Sequence, residues 1–300
     1  MANERTEARR PDRRAFRPTL DGTLESRKLL SVASASIRAQ TAAGGQAVVV
    51  TTPDRSQFFV SVINGGTVRA TPAPGGRVNL IVTGSTVDTL LEINEVASNH
   101  SLKSGAHTFA QRNGGAASIL NVASIRVTSG SIAAIEGFRD AKLSGPITVN
   151  GINRVDRIAF SQILAGGSIR VGGDLNTLDV LGEARFSSST GLNVGRDLNW
   201  FDVGGNLTFE KGANLVVGRD LGLAAQPAKG TGLAGQGLFV NGNLTVTAPS
   251  TATIGRNIDS GIIVNGNFTG LSRFTIMGSA GDIRGNPASA TNIIRGTLTP

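Results

Sequence analysis

The sequence contains no cysteine, only two histidines and one tryptophan, and 17% charged residues. Without cysteine, a disulfide, a cysteine-ligated metal site and a thiol nucleophile are all excluded. The low charge and the apolar content of 39% exclude a typical disordered chain, which is rich in charged residues and poor in apolar ones. No apolar run approaches the roughly 18 residues that a membrane-spanning helix needs.

Glycine is abundant, at 40 residues, but it lacks the three-residue period of collagen. Together with Val, Ile, Thr, Ser and Asn it indicates short strands joined by tight turns. An apolar residue recurs every 22 to 24 positions, at Leu80, Leu102, Ile125, Ile147, Ile169, Leu192, Leu215, Leu238 and Ile262, and Phe58 extends the series upstream. Such a period is typical of stacked repeats.

Two further apolar columns follow the first within each period. The second contains Ile135, Ile158, Val180, Val203 and Phe274, and the third contains Leu143, Leu164, Phe186, Phe209, Leu233 and Ile254. Each apolar stretch is long enough for one short strand, and a unit of three strands buries its inner face only when copies stack. Recurrent glycine argues against helices, since each costs about 1 kcal/mol there relative to alanine.

The sequence therefore predicts an all-β protein, a parallel β-helix over residues 41–300. Each coil has three short strands and about 22 to 24 residues, as the column spacing requires. Crossovers between parallel strands are overwhelmingly right-handed, so the right-handed form is expected.

A short phrase, V-x-G-[DN]-L, marks the turns of this predicted solenoid. It occurs in a variant form, VGRDL, at Val194–Leu198 and again, nine positions later, as VGGNL at Val203–Leu207. Nine residues are too few to close a coil, so the second copy is interpreted as the next corner of the same coil. Glycine would supply a positive φ or a close approach at the corner, and Asp or Asn would bond to nearby backbone.

The net charge of +8 is concentrated at the amino end. Residues 1–38 hold nine basic and five acidic residues, which leaves the other 262 residues with a net charge of only +4. Nucleic-acid binders gather their charge on one face or stripe, so nucleic acid is not an expected partner. Residues 1–40 lack the strongly apolar region of an ordinary secretory signal and are interpreted as a disordered basic segment.

Within that segment, Arg17, Pro18, Leu20, Leu24, Glu25, Arg27, Leu29, Leu30 and Ser31 form a pattern. It resembles the R-P-x-L-E-x-L-E-x-R-x-L-L-S motif near the start of extracellular and surface proteins of planctomycete bacteria. The match departs from the motif in Asp21, which replaces a glutamate, and in one extra residue before Leu24. The resemblance covers about 15 residues and implies an address, secreted or at the cell surface, with the segment used for export or sorting.

The nearest candidate for a chemical site is a ladder of corner carboxylates, Asp174, Asp197 and Asp220, expected to continue through Asn243 and Asn267. Carboxylates on adjacent coils, about 4.8 Å apart, repel one another unless a positive charge lies near. Arg196 and Arg219 would supply it, which favours a charge-compensated turn. The alternatives are a bound cation, with calcium as the candidate, and a catalytic carboxylate pair. No other cofactor is indicated.

Other chemistry-bearing residues give weaker signals. His100 and His107 lack acidic or cysteine partners at metal-site spacing. Trp200 lies between two corners, where an exposed ring could stack on a sugar. Asn206, Asn243 and Asn267 match the N-glycosylation pattern only because the corner is followed by Leu or Phe and then Thr.

These observations predict an exported structural or adhesin-like protein without enzymatic activity. Its expected partners are cell-surface or matrix polysaccharides or other envelope proteins. One alternative is a carbohydrate-active β-helix enzyme, a polysaccharide lyase or hydrolase. The other is a scaffold that polymerises end to end, as bactofilin-like proteins do.

Overall fold

The computed structural model describes residues 38–41, 44–96, 118–187, 190–210, 212–222, 237–258, 262–270, 274–277 and 283–285. The chain divides into two units, Met1–Ser34 and Ala35–Pro300, and the first lies wholly outside these residues. The described residues contain strands and turns but no helix. The first strand begins at Arg38, slightly before the predicted boundary at residue 41.

The described chain begins with antiparallel strands. They are β1 (Arg38–Thr41), β2 (Ala47–Thr51), β3 (Gln57–Ile63), β4 (Thr67–Ala73), β5 (Arg77–Thr83) and β6 (Leu90–Val96). Strands β1, β2, β3 and β6 pair antiparallel in that order, and β4 pairs antiparallel with β5. Phe58, expected in the parallel ladder, instead lies opposite Val50 and Glu95 in antiparallel pairs, so that extension of the series is wrong.

Parallel pairing begins where β5 meets β7. The remaining strands are β7 (Leu120–Val127), β8 (Ala134–Leu143), β9 (Pro146–Val149), β10 (Val155–Val171), β11 (Leu175–Val180), β12 (Ala184–Phe186), β13 (Leu192–Val194), β14 (Leu198–Val203), β15 (Leu207–Phe209), β16 (Leu215–Val217), β17 (Leu238–Val240), β18 (Leu244–Val246), β19 (Ala252–Ile254), β20 (Ile262–Val264), β21 (Phe268–Thr269), β22 (Phe274–Ile276) and β23 (Ile283–Gly285). Each of their strand pairs is parallel, and the coils form a β-solenoid of about 6 turns. The predicted parallel β-helix is confirmed.

Each coil has three sides, named here by the strands that stack on them. Side 1 contains β4, β5, β9, β13, β16, β19, β22 and the final thirds of β7 and β10. Side 2 contains β6, β11, β14, β17, β20, β23 and the first parts of β8 and β10. Side 3 contains β12, β15, β18, β21, the start of β7, the end of β8 and the middle of β10.

The predicted first column is correct only in part. Leu80 pairs with Ile125, and pairing continues through Ile147, Ile169, Leu192 and Leu215, all on side 1 and all buried. The next partner of Leu215 is Ala252, not Leu238. Leu238 and Ile262 lie on side 2, above Phe201. Leu102 lies outside the described residues.

The cause is an insertion in one coil. Equivalent residues of that coil and the preceding one are 37 positions apart, against 23 in the coils before it. The extra 14 residues correspond to 223–236, between Gly222 and Gly237 on side 2. The same shift moves Ile254 and Phe274, expected in the third and second columns, to side 1. On side 3, Ile163 and not Leu164 is the buried rung.

The core is one continuous column of buried apolar side chains, supplied by the inward positions of all three sides. On side 3, Phe186 and Phe209 stack with ring centroids 5.0 Å apart. Alternate residues of the short strands are buried, so their neighbours project from the outer faces, where chemistry is accessible.

The corner glycines are required by close approach and not by a positive φ. A Cβ on Gly195 would lie 2.2 Å from the carbonyl oxygen of Gly172, and one on Gly218 would lie 2.1 Å from that of Gly195. Neither Gly195 nor Gly218 has a positive φ. The glycines form a ladder of their own, in which each coil packs its backbone directly on the coil before it.

Candidate functional site

The corner between sides 1 and 2 contains the predicted aspartate ladder. Oδ1 of Asp174 accepts the backbone N–H of Asp197 at 3.1 Å, and Oδ1 of Asp197 accepts that of Asp220 at 3.1 Å. Asp220 accepts in the same way from the N–H of Asn257 at 3.0 Å. The side chain therefore bonds the equivalent residue of the next coil. Among the described residues the ladder continues to Asn257, so its predicted continuation through Asn243 and Asn267 is wrong.

Arginines on the following coils compensate these carboxylates. Nε of Arg219 donates to Oδ1 of Asp197 at 3.0 Å, and its terminal nitrogen reaches both Asp197 and, at 3.2 Å, Asp174. Arg196 lies 3.6 Å from Asp174, and Arg256 pairs with Asp220. Hydrogen bonding to Asp197 raises the pKa of the Arg219 guanidinium above its ordinary value. The expectation that arginines flank the ladder is confirmed, and Arg256 extends it.

The corner ladder thus contains three carboxylates and three guanidinium groups. Each carboxylate already accepts one backbone N–H and lies in at least one ion pair. Within the described residues, no three metal-ligating side chains are grouped where they could hold an ion. Asp174, Asp197 and Asp220 therefore link each coil to the next through hydrogen bonds and ion pairs.

Asn243 and Asn267 belong to a second ladder, at the corner between sides 2 and 3. Oδ1 of Asn206 accepts the N–H of Asn243 at 2.8 Å, and Oδ1 of Asn243 accepts that of Asn267 at 2.8 Å. Nδ2 of Asn206 donates to Glu183 one coil earlier. The amides of Asn206 and Asn243, which match the glycosylation pattern, are therefore engaged in coil-to-coil bonds.

An acidic row on the outer face of side 2 was not anticipated from the sequence. Glu92 pairs in register with Glu136, and Asp179 pairs in register with Asp202, with Ala159 between the two pairs. Their neighbours in each strand are buried, so these four side chains point outward. The available signal was the 23-residue repeat of an Asp that directly precedes Val180 and Val203.

Arg157 lies over the first part of this row. It donates to Asp179 at 2.6 Å, lies 3.6 Å from Glu136, and places its guanidinium 5.3 Å from the ring centroid of Phe138. This arginine compensates the negative charge of Asp179. Asp202 has no ion-pair partner among the described residues.

Asp202 is the carboxylate with the most perturbed surroundings on this face. Burial raises its pKa above the ordinary value of 3.8, and the negative charge of Asp179 raises it further. Trp200 lies two residues earlier in β14, half-buried and in register with Thr177. Side 2 therefore combines Asp179 in an ion pair with Arg157, the neighbouring Asp202 with a raised pKa, and the aromatic ring of Trp200.

Leu233 of the predicted third column, the histidines at 100 and 107, and the motif at residues 16–31 also lie outside the described residues. Where the structure describes the chain, no helix has the length and apolarity needed to traverse a bilayer. Comparisons with protein-family models, with curated proteins and with solved structures find no match to this chain. The fold and the geometry of its faces therefore carry the functional argument.

Proposed function

We propose that this protein is an exported structural or adhesin-like β-helix of the cell surface or extracellular matrix, without enzymatic activity. Its role is to present long, regular outer faces on a rigid solenoid. The segment at residues 16–31, with its resemblance to planctomycete surface proteins, would direct it there. The partners proposed are surface or matrix polysaccharides or other envelope proteins.

The main observation behind this proposal is that each corner carboxylate both accepts a backbone hydrogen bond and forms an ion pair. Asp174, Asp197 and Asp220 tie each coil to the next through a backbone hydrogen bond and an arginine. A general acid or base must present a titratable group to a substrate at a fixed place. Carboxylates already saturated by backbone and guanidinium donors favour a structural role.

Two experiments test the proposal. Purified full-length protein is incubated with a panel of acidic and neutral polysaccharides, with and without calcium, and no product release is expected. Reproducible release that disappears when one outer carboxylate is mutated would contradict the structural role. Separately, residues 1–40 fused to a reporter should deliver it outside the cytoplasm, and Arg17→Ala with Leu29→Ala should abolish delivery. A reporter retained in the cytoplasm would contradict the proposed location.

The outer face of side 2 favours a second candidate function, glycoside hydrolysis. Asp179 and Asp202 lie on adjacent strands, and carboxyl groups about 5 Å apart are the pair used by retaining glycosidases. Burial raises the pKa of Asp202, as a general acid requires, while Asp179 is held in an ion pair by Arg157. Loss of product release in Asp202→Asn, with full release in the corner variant Asp220→Asn, would establish this candidate.

The antiparallel strands weigh against the third candidate, an end-to-end polymer. Parallel stacking of subunits needs an exposed parallel coil at each end. At the β1–β6 end the solenoid continues instead into antiparallel strands, and β4 carries Pro72, which has no N–H to offer a partner strand. Absence of filaments in electron micrographs of the purified protein is the expected result.

A further inference from the structure

Arginines occupy every second rung over the first five rungs on the outer face of side 1, from β4 to β10. Arg69 pairs in register with Ile81, which pairs with Arg126. Thr148 then separates Arg126 from Arg170 in the same way. With strands about 4.8 Å apart, successive arginines are about 9.6 Å apart along the solenoid. All three are exposed, and their strand neighbours Val68, Ile125 and Ile169 are buried, so the guanidinium groups point away from the core.

No described acidic residue shares this face. Besides the three arginines, the outward positions of the described side 1 strands include Thr67, Thr71, Asn79, Ile81, Thr83, Ser124, Pro146, Thr148, Asn193, Val216, Thr253 and Thr275. Arg77, at the start of β5, adds a fourth positive charge and donates to the carbonyl oxygen of Pro74. Arg69, Arg126 and Arg170 form no ion pair with another described residue. The corner and side 2 arginines, Arg157 and Arg219, by contrast pair with carboxylates.

Charge is therefore segregated between two faces of one solenoid. Side 2 carries the outward acids Glu92, Glu136, Asp179 and Asp202 with Arg157 among them, whereas the described outer positions of side 1 carry only positive charge. If these charges served only stability, we would expect acidic and basic side chains to form ion pairs on each face, as they do at the corner between sides 1 and 2. An unpaired, regularly spaced row of arginines instead offers bidentate donors to an external anion.

We infer that side 1 binds an extended anionic polysaccharide, with Arg69, Arg126 and Arg170 each contacting one carboxylate or sulfate group. This inference deepens the proposed surface function and rests on it. A sugar ring in an extended glycan is about as long as the strand spacing, so an anion on every second sugar meets an arginine on every second strand. Polar side chains beside the row, among them Ser124 and Asn79, present hydroxyl and amide groups suited to sugar hydroxyls.

Nucleic acid fits this face less well. Phosphates along one DNA strand recur about every 3.4 Å, so most would face no arginine in a row spaced at about 9.6 Å. Proteins that bind single strands also stack bases on aromatic side chains, and the described outer face of side 1 has none.

The test measures binding of the full-length protein to a hyaluronan hexasaccharide, which carries one carboxylate per disaccharide, by isothermal titration calorimetry. Neutral dextran and short single-stranded and duplex DNA are the comparison ligands. Arg126→Gln should weaken hyaluronan binding about fivefold, the upper value for an exposed ion pair. The triple variant Arg69→Gln, Arg126→Gln, Arg170→Gln should weaken it about a hundredfold, because sites this far apart act additively.

The matched control is Arg139→Gln, which removes one exposed charge from β8 on a different part of the coil. It should leave hyaluronan binding unchanged, and circular dichroism should show every variant folded. The basic segment 1–40 is identical in all variants, so it cannot produce a difference between them. Equal losses in Arg139→Gln and Arg126→Gln, or wild-type binding to DNA as tight as to hyaluronan, would overturn the inference.

The same samples separate this inference from the proposed function. Hyaluronan that is bound but not shortened supports both. Hyaluronan that is shortened contradicts the non-enzymatic function, while loss of that cleavage in the triple arginine variant would still assign side 1 as the binding face. No measurable binding by the wild-type protein overturns the inference and leaves the structural role in place.

Discussion

The aspartate ladder makes two contributions to stability that substitutions at one rung can separate. Asp197 accepts the N–H of Asp220 through Oδ1 and pairs with Arg219. Asp197→Asn keeps the acceptor oxygen and removes only the charge, as in the natural rung Asn257. Asp197→Ala removes both. Because the side chains of Asp197 and Arg219 are 23% and 34% exposed, the ion pair is only partly screened by water.

The expected magnitudes follow from these contacts. Loss of the partly exposed ion pair in Asp197→Asn should lower the free energy of unfolding by about 1 kcal/mol. Asp197→Ala should cost about 1 kcal/mol more, because the N–H of Asp220 then lacks its acceptor. Both are measured by urea unfolding followed by circular dichroism at low salt and at 1 M salt.

Salt separates the two contributions. The difference between wild type and Asp197→Asn should shrink at 1 M salt, where the Debye length is about 3 Å. The difference between Asp197→Asn and Asp197→Ala should persist, because a backbone hydrogen bond involves no pair of ions. Equal stabilities of the Asn and Ala variants would refute the view that the side-chain oxygen ties adjacent coils together.

Three further substitutions test the fold and its titration. Leu198→Asp should destabilise far more than Asp197→Asn, by about 1.5 to 3 kcal/mol of lost burial plus several more for an unpaired buried charge, and equal melting temperatures would contradict the buried position of this leucine. Gly195→Ala should lower the free energy of unfolding by about 3 kcal/mol, because the added Cβ overpacks the coil beneath it. Gly44→Ala should lower it by only about 1 kcal/mol, because φ is +85° there but nothing lies within 4 Å of the added Cβ. A lower melting temperature for Gly44→Ala than for Gly195→Ala would show that backbone conformation, and not close approach, makes these glycines necessary. Asp202→Asn should raise the melting temperature at neutral pH. Because the pKa of Asp202 is raised in the folded state, ionisation of this carboxyl destabilises the folded protein as pH rises from the ordinary value of 3.8 through the folded value. No gain in melting temperature, or a gain that persists below pH 3.8, would contradict this prediction.

The sequence predicted the solenoid because the apolar residues that recur along it are the buried ones. It placed Leu238 on the wrong side of the coil. The step from Leu192 on side 1 to Phe201 on side 2 is nine residues. Added to the 14 extra residues, it reproduces the 23-residue spacing of equivalent positions. An apolar pattern cannot distinguish one full coil from one side plus an insertion of this length.

Antiparallel pairing escaped prediction for a related reason. Alternation of buried and exposed residues is the same in parallel and antiparallel strands, so Phe58 fitted the ladder equally well. The corner ladder was predicted because Asp and Gly repeat together there. Asp179 and Asp202 resembled ordinary solvent-facing strand residues, and only register placed them side by side.

The bonds from backbone N–H groups to Asp and Asn side-chain oxygens in the corner ladders all run in one direction. In each, an Asp or Asn oxygen of an earlier coil accepts the N–H of a later one, as from Asp174 to Asp197 and from Asn206 to Asn243. Each coil also packs only on its neighbours, so stability propagates along one axis. When the chain is synthesised from its amino end, the side-chain acceptors for each new coil are therefore already in place on the preceding coil. The antiparallel strands are the first part to form. Folding of this protein is expected to be vectorial, with each coil laid on the acceptors of the one before.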